Sequence, residues 1–423
     1  MIRLALKSLK NQKQQAVMYF LSLVFACSEI LVYFNITAAQ DAFHLTGESD
    51  YMIVGLSFYI LVLSCAMILS ANQLFARSKA KELALRSSLG ISQTSISLYL
   101  ITQVLILFAV AMAVSLAVST LVLKGLQLYY PESVVFEISA FGNIGGIGCI
   151  LFLAGWTALL NISFTYINSA AMLLNASRSA KPVEYQSMVR FGNPTEESEK
   201  RKQIISRISW IFLFLAPAAL IHTGSQEPVL FCAVSIYAFW RLLHETAEPL
   251  LKQIGRRLAF RNARSMITAG LYRYDLQFYR FMIFLIFMNG VFLHALFPFA
   301  EGDLFKQHLI QIVYALSMLQ MVFLLIVTFR SETGVRNAWD HQLEQLGFER
   351  KDLFLIHAGE IVLLILTMAV CTLGYIAVIC RYFIAQGIIG QNVLRDACAV
   401  FALLMAVFAA AYSEIRKKYK NVR

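Results

Sequence analysis

The chain has 423 residues, of which 59% are hydrophobic and 14% charged, and its mean hydropathy is +0.65. That composition excludes an ordinary soluble enzyme and indicates an all-α integral membrane protein, because several apolar runs reach the roughly 20 residues needed to cross a hydrocarbon core. The formal net charge of +11 would suit a nucleic-acid partner only if the basic residues clustered; they are instead dispersed among short loops, where they read as a topology signal.

In chain order, residues 1–14 form an amphipathic helix: Ile2, Leu6 and Leu9 fall on one side and Arg3, Lys7 and Lys10 on the other, a pattern suited to the inner membrane surface. Ten apolar spans follow, at 15–37, 52–75, 95–123, 143–166, 205–222, 228–243, 279–299, 308–329, 354–379 and 396–413. The fifth is the least regular, since it carries Arg207 and Pro217. The first apolar run is long enough to span, and no small-residue cleavage site follows it, so a retained span is expected rather than a cleaved leader. With both termini inside, all but four of the 36 lysines and arginines fall on the cytoplasmic side, the exceptions being Lys124, Lys306, Arg381 and Arg395. This bias orients the chain and supports an even number of spans. Membrane lipid is therefore an expected partner and nucleic acid is not.

The spans group as four, two and four, and the two sets of four correspond at one place. After the second span comes LALRSSLGISQTSISLYLITQVLIL, from Leu83 to Leu107; after the eighth comes HQLEQLGFERKDLFLIHAGEIVLLIL, from His341 to Leu366. Each has a Leu-Gly pair (Leu89-Gly90, Leu346-Gly347), a polar stretch, and a Gln or Glu thirteen residues past the glycine (Gln103, Glu360), before entering the next span. IRLALKSLKNQ near the N-terminus has a fainter echo in RRLAFRNARSM at 256–266. Parallel repeats of this kind suit a transporter whose halves move against each other.

The segment RSKAKELALRSSLGISQ (77–93) carries the chemistry. Ser78 or the residue before it can start a helix, and Gly90 is suited to end one in a left-handed conformation. Glu82 and Arg86 are spaced for an i,i+4 pair. The bare residue types also fit an ordinary basic loop on the membrane surface.

Lys81, Glu82, Leu83, Ala84, Leu85, Arg86, Leu89 and Gly90 resemble the signature of the FtsX-like permease family of ABC transporters, which has basic residues, Glu, Leu/Ile-Ala-Leu-Arg and a Leu-Gly pair between its second and third helices. The second copy, around Leu343, Leu346 and Gly347, lacks the basic–Glu lead. Ten helices in this order look most like the bacitracin-resistance type, related to the macrolide exporter. The family usually has a large extracellular domain inside each four-helix set, whereas here those gaps are only 38–51 and 300–307.

The resemblance implies the following organisation: an elbow helix at 1–14; a first four-helix repeat at 15–166 with a coupling helix at 77–90; a cytoplasmic linker at 167–204; two extra spans at 205–243; a linker and second elbow at 244–278; a second repeat at 279–413 with a coupling segment at 331–353; and a basic cytoplasmic tail at 414–423. It implies contact with a separate ABC ATPase through Lys81, Glu82, Arg86, Leu89 and Gly90, and through Leu346, Gly347 and Glu360; the repeated halves suggest two ATPase copies per permease chain, with a permease dimer as the alternative. The chain itself has no G-x-x-x-x-G-K-[ST] phosphate loop, so ATP-Mg is expected in the partner and no cofactor or metal in this chain. Nor is there an H-E-x-x-H or G-x-S-x-G motif, and the chain is not expected to be an enzyme. His341 and His357 are expected on solvated faces. The seven cysteines lie in or beside spans without ligand spacing and are expected to be inert thiols.

Glu29, within span one, is the clearest intramembrane charge. It is read either as part of a substrate path or gate, or as an interfacial or helix-packing residue. GNIGGIG (142–148) is read as a close-packing stretch. The functional expectation is a permease subunit that couples ATP hydrolysis to export or membrane extraction of an amphipathic compound such as an antimicrobial peptide. It would sit in a bacterial cytoplasmic membrane with both termini inside. A mechanotransmitter that signals without transport, with an extracellular partner or a sensor kinase attached, is the alternative, and an ion-driven secondary transporter is a third.

Overall fold

A computed structural model describes residues 2–38, 49–129, 138–168, 196–222, 228–245, 263–302 and 304–420. Among these residues the secondary structure is helical, without strands. The helices are α1 (Ile2–Asn11), α2 (Lys13–Ala38), α3 (Ser49–Ser88), α4 (Gln93–Tyr129), α5 (Ala140–Ile167), α6 (Glu196–His222), α7 (Pro228–Glu245), α8 (Ala263–Phe278), α9 (Arg280–Ala295), α10 (Leu304–Gln345), α11 (Arg350–Ala385) and α12 (Gln391–Lys420); a short 3₁₀ turn, Phe297–Ala300, follows α9.

Seven of these are long and apolar enough to cross a membrane: Lys13–Ile36, Phe58–Ser88, Gln93–Leu128, Ala140–Ile167, Lys306–Thr333, Arg350–Ala385 and Gln391–Glu414. The bent pair α8–α9, broken at Tyr279 by 66°, would make an eighth. The expected seventh span, 279–299, thus begins at a sharp bend, and its straight helix α9 has only 16 residues. The apolar part of α6, Ile205–Ile221, is also short, and Pro217 lies inside that helix without ending it. Among the expected domains, residues 169–195 of the first linker and 246–262 of the second lie outside the described residues, as does most of the RRLAFRNARSM echo; residues 196–204 form the first turns of α6.

The chain divides into two compact units, Met1–Ala180 with Val327–Glu332, and Lys181–Ile326 with Thr333–Arg423. In the first, α2 packs on α3, α4 and α5, α4 packs on α5, and α1 lies against α4. Small residues set the α2–α5 approach: a Cβ added at Gly142 would lie 2.8 Å from the Phe34 carbonyl oxygen, and one at Gly146 would lie 2.9 Å from Leu31. A side-chain bond pins the same crossing, with Asn35 Nδ2 donating to Asn143 Oδ1 over 2.9 Å. Deeper in this unit Asn72 and Asn161 exchange amide hydrogen bonds between α3 and α5. Helices in lipid gain little from apolar contact alone, so close backbone approach and buried polar pairs hold such a bundle together.

In the second unit α11 is the central helix, packed by α8, α9, α12 and α6. The α6–α7 hairpin belongs to this unit, because α7 also packs on α9. Glu245 closes one end of the hairpin: it accepts from Ser206 Oγ at 2.9 Å and Trp210 Nε1 at 3.0 Å, and pairs with Arg241 at 2.5 Å.

Candidate functional site

At 1.5 Å rise per residue the 40 residues of α3 and the 42 of α10 reach about 60 Å, roughly twice a hydrocarbon core. Each helix is therefore longer than one crossing requires. Each passes through a charged cluster and stops at a Leu-Gly pair.

The C-terminal turns of α3 show three faces, as 3.6-residue periodicity requires. Lys79, Ala80, Leu83 and Ala84 are buried, Lys81, Leu85 and Leu89 are exposed, and Glu82 and Arg86 lie half-buried between them. Glu82 is the hub. Its Oε2 accepts from Ser8 Oγ of α1 at 2.8 Å, and its Oε1 accepts from Tyr99 OH of α4 at 2.5 Å and from Arg86 Nη2 at 3.0 Å. Lys79, with a side chain that is fully buried, donates from Nζ to Ser8 Oγ at 2.9 Å and lies 3.7 Å from Glu82. The Arg86 guanidinium stacks 3.7 Å from the Tyr99 ring centroid. One carboxylate with two cations thus ties α1, α3 and α4 together. Ser78 does not start a helix here; its hydroxyl donates to the Phe75 carbonyl within α3, because the apolar span runs on into the charged segment without a break.

The second cluster forms where α10 leaves its span. Arg336 donates to Asp275 of α8 and to Glu360 of α11, and all three side chains are at most 2% exposed. Burial opposes the charge on Arg336, but the carboxylates of Asp275 and Glu360, with Tyr279, outweigh it and hold the guanidinium well above its ordinary pKa. His357 bridges outward, with Nδ1 3.0 Å from Glu360 Oε2 and Nε2 2.8 Å from Asp340 Oδ1. Tyr412 of α12 donates to Glu360 Oε2 at 3.5 Å, and Arg264 of α8 pairs with Asp352 of α11 at 2.6 Å. His357 is therefore drawn into a buried ion network rather than left on a solvated face, because two carboxylates converge on its ring; His341 is exposed, as expected.

Both helices end in the same way. Gly90 has φ +81° and Gly347 φ +91°. Ile91 N donates to the Arg86 carbonyl at 3.2 Å with Gly90 N to Ser87, and Phe348 N donates to the Leu343 carbonyl at 3.1 Å with Gly347 N to Glu344. These are the paired bonds of a glycine-terminated helix, and they explain why both Leu-Gly pairs lie where they do. The leucines project outward, Leu89 being 72% and Leu346 75% exposed.

The structure thus brings Glu82 and Arg86 together and leaves Lys81, Leu89, Gly90, Leu346 and Gly347 on exposed faces. Glu360 carries no exposed surface, so its bonds are internal. Glu29 is half-buried in α2 and accepts from Ser64 Oγ of α3 at 3.0 Å, an interhelical bond inside the span. In α1 the buried stripe is Ala5, Ser8 and Leu9 rather than one containing Leu6, which is 49% exposed, because Ser8 must face Glu82 and Lys79.

Sequence reasoning missed Ser8, Lys79, Tyr99, Asp275, Arg336 and Asp340. One signal could have found two of them. Gly90 and Gly347 are 257 positions apart, and the same offset pairs Lys79 with Arg336 and Gln103 with Glu360. Both cations are buried in the structure, each eleven residues before the terminal glycine.

Among known proteins, the family FtsX-like permease C-terminal matches residues 54–167. No curated protein matches the chain. The matched stretch holds most of α3, all of α4 and α5, and every member of the first cluster except Ser8. Over residues 54–167 the chain is similar to the FtsX-like permeases.

Proposed function

We propose that the chain is the membrane permease of an ABC-type system, with ten spans arranged as four, two and four, both termini in the cytoplasm and a bacterial cytoplasmic membrane as its location. ATP is hydrolysed by a separate subunit, and the exposed ends of α3 and α10 receive its movement. The observation that carries this reading is the repeated construction of these ends. Each span runs on as the same uninterrupted helix, is braced by a buried or half-buried ion cluster, and ends on an exposed leucine beside a left-handed glycine. A continuous, braced helix transmits a push, whereas a loop would absorb it.

Two such ends support one chain serving two ATPase subunits. Leu89 and Leu346 are the contact residues, with Lys81 and Gly90 beside the first and Gly347 beside the second. Glu82 and Arg86, like Glu360, act as internal braces. The cargo is an amphipathic compound, such as an antimicrobial peptide, expelled or extracted from the membrane. Only residues 39–48 separate α2 from α3, which leaves little exterior chain for docking an extracellular protein and favours transport over mechanotransmission. Glu29, bonded to Ser64 between helices, is assigned to packing at the edge of the path.

The test is purification of the detergent-solubilised protein from its native membrane with its ATPase activity measured, in wild type and in Leu89→Asp plus Leu346→Asp. The expected result is a co-purifying ATPase near two copies per chain, lost in the double variant. A well-folded protein with no nucleotide-hydrolysing partner would remove this reading and leave ion-driven transport.

A further inference from the structure

Gln103 lies on α4, one helical turn beyond Tyr99. It is fully buried, and neither its amide oxygen nor its amide nitrogen has a hydrogen-bond partner among the described residues. Buried amides in folded proteins are almost always paired, so an exception calls for an explanation. The repeat register supplies one. The offset that superposes the two Leu-Gly pairs sets Lys79 on Arg336 and Gln103 on Glu360. In the second half that register pair is bonded, Arg336 of α10 donating to Glu360 of α11. In the first half the cation instead donates to Ser8 of α1, and the residue in the acceptor position has no partner.

We propose that Lys79 has two bonding states and that Gln103 is its second partner. In the state described here Nζ holds Ser8 and, through it, the amphipathic helix α1. In the other, Nζ donates to Gln103 Oε1 in the register of the Arg336–Glu360 pair, Ser8 keeps Glu82 alone, and α1 loosens from α3. A neutral amide suits this exchange. A carboxylate at position 103 would capture Lys79 in a buried ion pair, whereas an amide competes with a hydroxyl on more equal terms. The first half thereby contains a switch for its N-terminal helix, and the second half contains the same framework locked.

Hydrogen–deuterium exchange on the full chain in lipid nanodiscs tests this, read on the backbone amides of residues 2–11. Gln103→Glu should speed their exchange several-fold by capturing Lys79, and Gln103→Leu should slow it below wild type by removing the second state. Ser8→Ala should speed exchange, and adding Gln103→Leu to it should have no further effect, because Lys79 reaches α1 only through Ser8; this pair decides the question if Gln103→Glu does not fold. Exchange of 2–11 that is unchanged by Gln103→Leu with Ser8 present, or slowed equally with and without Ser8, overturns the proposal, including when that variant lowers thermal stability, which would mark Gln103 as the holder of an internal water.

Discussion

The two ends of the long helices are built on one plan and charged in opposite senses. At the end of α3 a single carboxylate, Glu82, serves two cations, and the side chains of both Glu82 and Arg86 remain 22% exposed. At the end of α10 a single cation, Arg336, serves two carboxylates at 2% exposure or less. The difference shows how desolvation scales with burial. A partly exposed pair keeps some of its hydration and contributes little net stability, while a fully buried ion survives only if every partner is in place. The first end can exchange partners; the second is committed to one arrangement.

The largest contrast should come from removing the two register-equivalent cations. Arg336→Met leaves Asp275 and Glu360 buried without their counter-ion and should cost about 3–5 kcal/mol. Lys79→Met leaves Glu82 with Arg86, Tyr99 and Ser8 and should cost about 1 kcal/mol. Thermal unfolding in detergent measures both, and equal losses would break the comparison.

Next come the carboxylates. Glu360→Gln should cost about 1.5–3 kcal/mol, the range for a hydrogen bond to a charged group, and Tyr99→Phe, which removes the shortest bond to Glu82 while leaving the ring under Arg86, should fall at the low end of that range. A double-mutant cycle on Asp275→Asn and Glu360→Gln should be non-additive, because both residues share Arg336.

Salt sharpens the distinction further. Raising it from ~0.1 M to ~1 M shortens screening from about 10 Å to about 3 Å and should shrink the stability difference between wild type and Glu82→Gln, while leaving that for Glu360→Gln nearly intact. The smallest contrast is the control. Gly90→Ala and Gly347→Ala each place a Cβ in the left-handed region and should cost about 1–2 kcal/mol apiece, equally in both halves. Unequal losses would mean that the two helix ends are held differently despite their matching φ values.

Much of this was legible along the chain. The apolar runs that became α2, α3, α4, α5, α10, α11 and α12 are long enough that hydropathy alone marks them. The terminal glycines were readable because only glycine adopts φ near +80° without strain, so a Leu-Gly pair after a helical stretch is a local signal. The Glu82–Arg86 pair was readable because i,i+4 spacing brings side chains together within one helix. The bend at Tyr279 was not readable, since no proline or glycine marks it. Nor was the buried side of α1: Leu6 and Leu9 are equally apolar, and only Ser8's reach to Glu82 selects the face that contains Leu9.

The sequence by itself determined that this is a helical protein with apolar runs long enough to span a membrane, where its long helices stop, and which family residues 54–167 resemble. These properties depend on hydropathy, periodicity and glycine conformation, which act over a few neighbouring residues. Only the tertiary structure decided which charges are buried in pairs between helices and which stay exposed. Asp275, Arg336 and Glu360 come from three helices and are separated by 61 and 24 positions, and Ser8 meets Glu82 across 74. A charged residue's role follows from whether its partners arrive before water does, and that is settled by packing between helices.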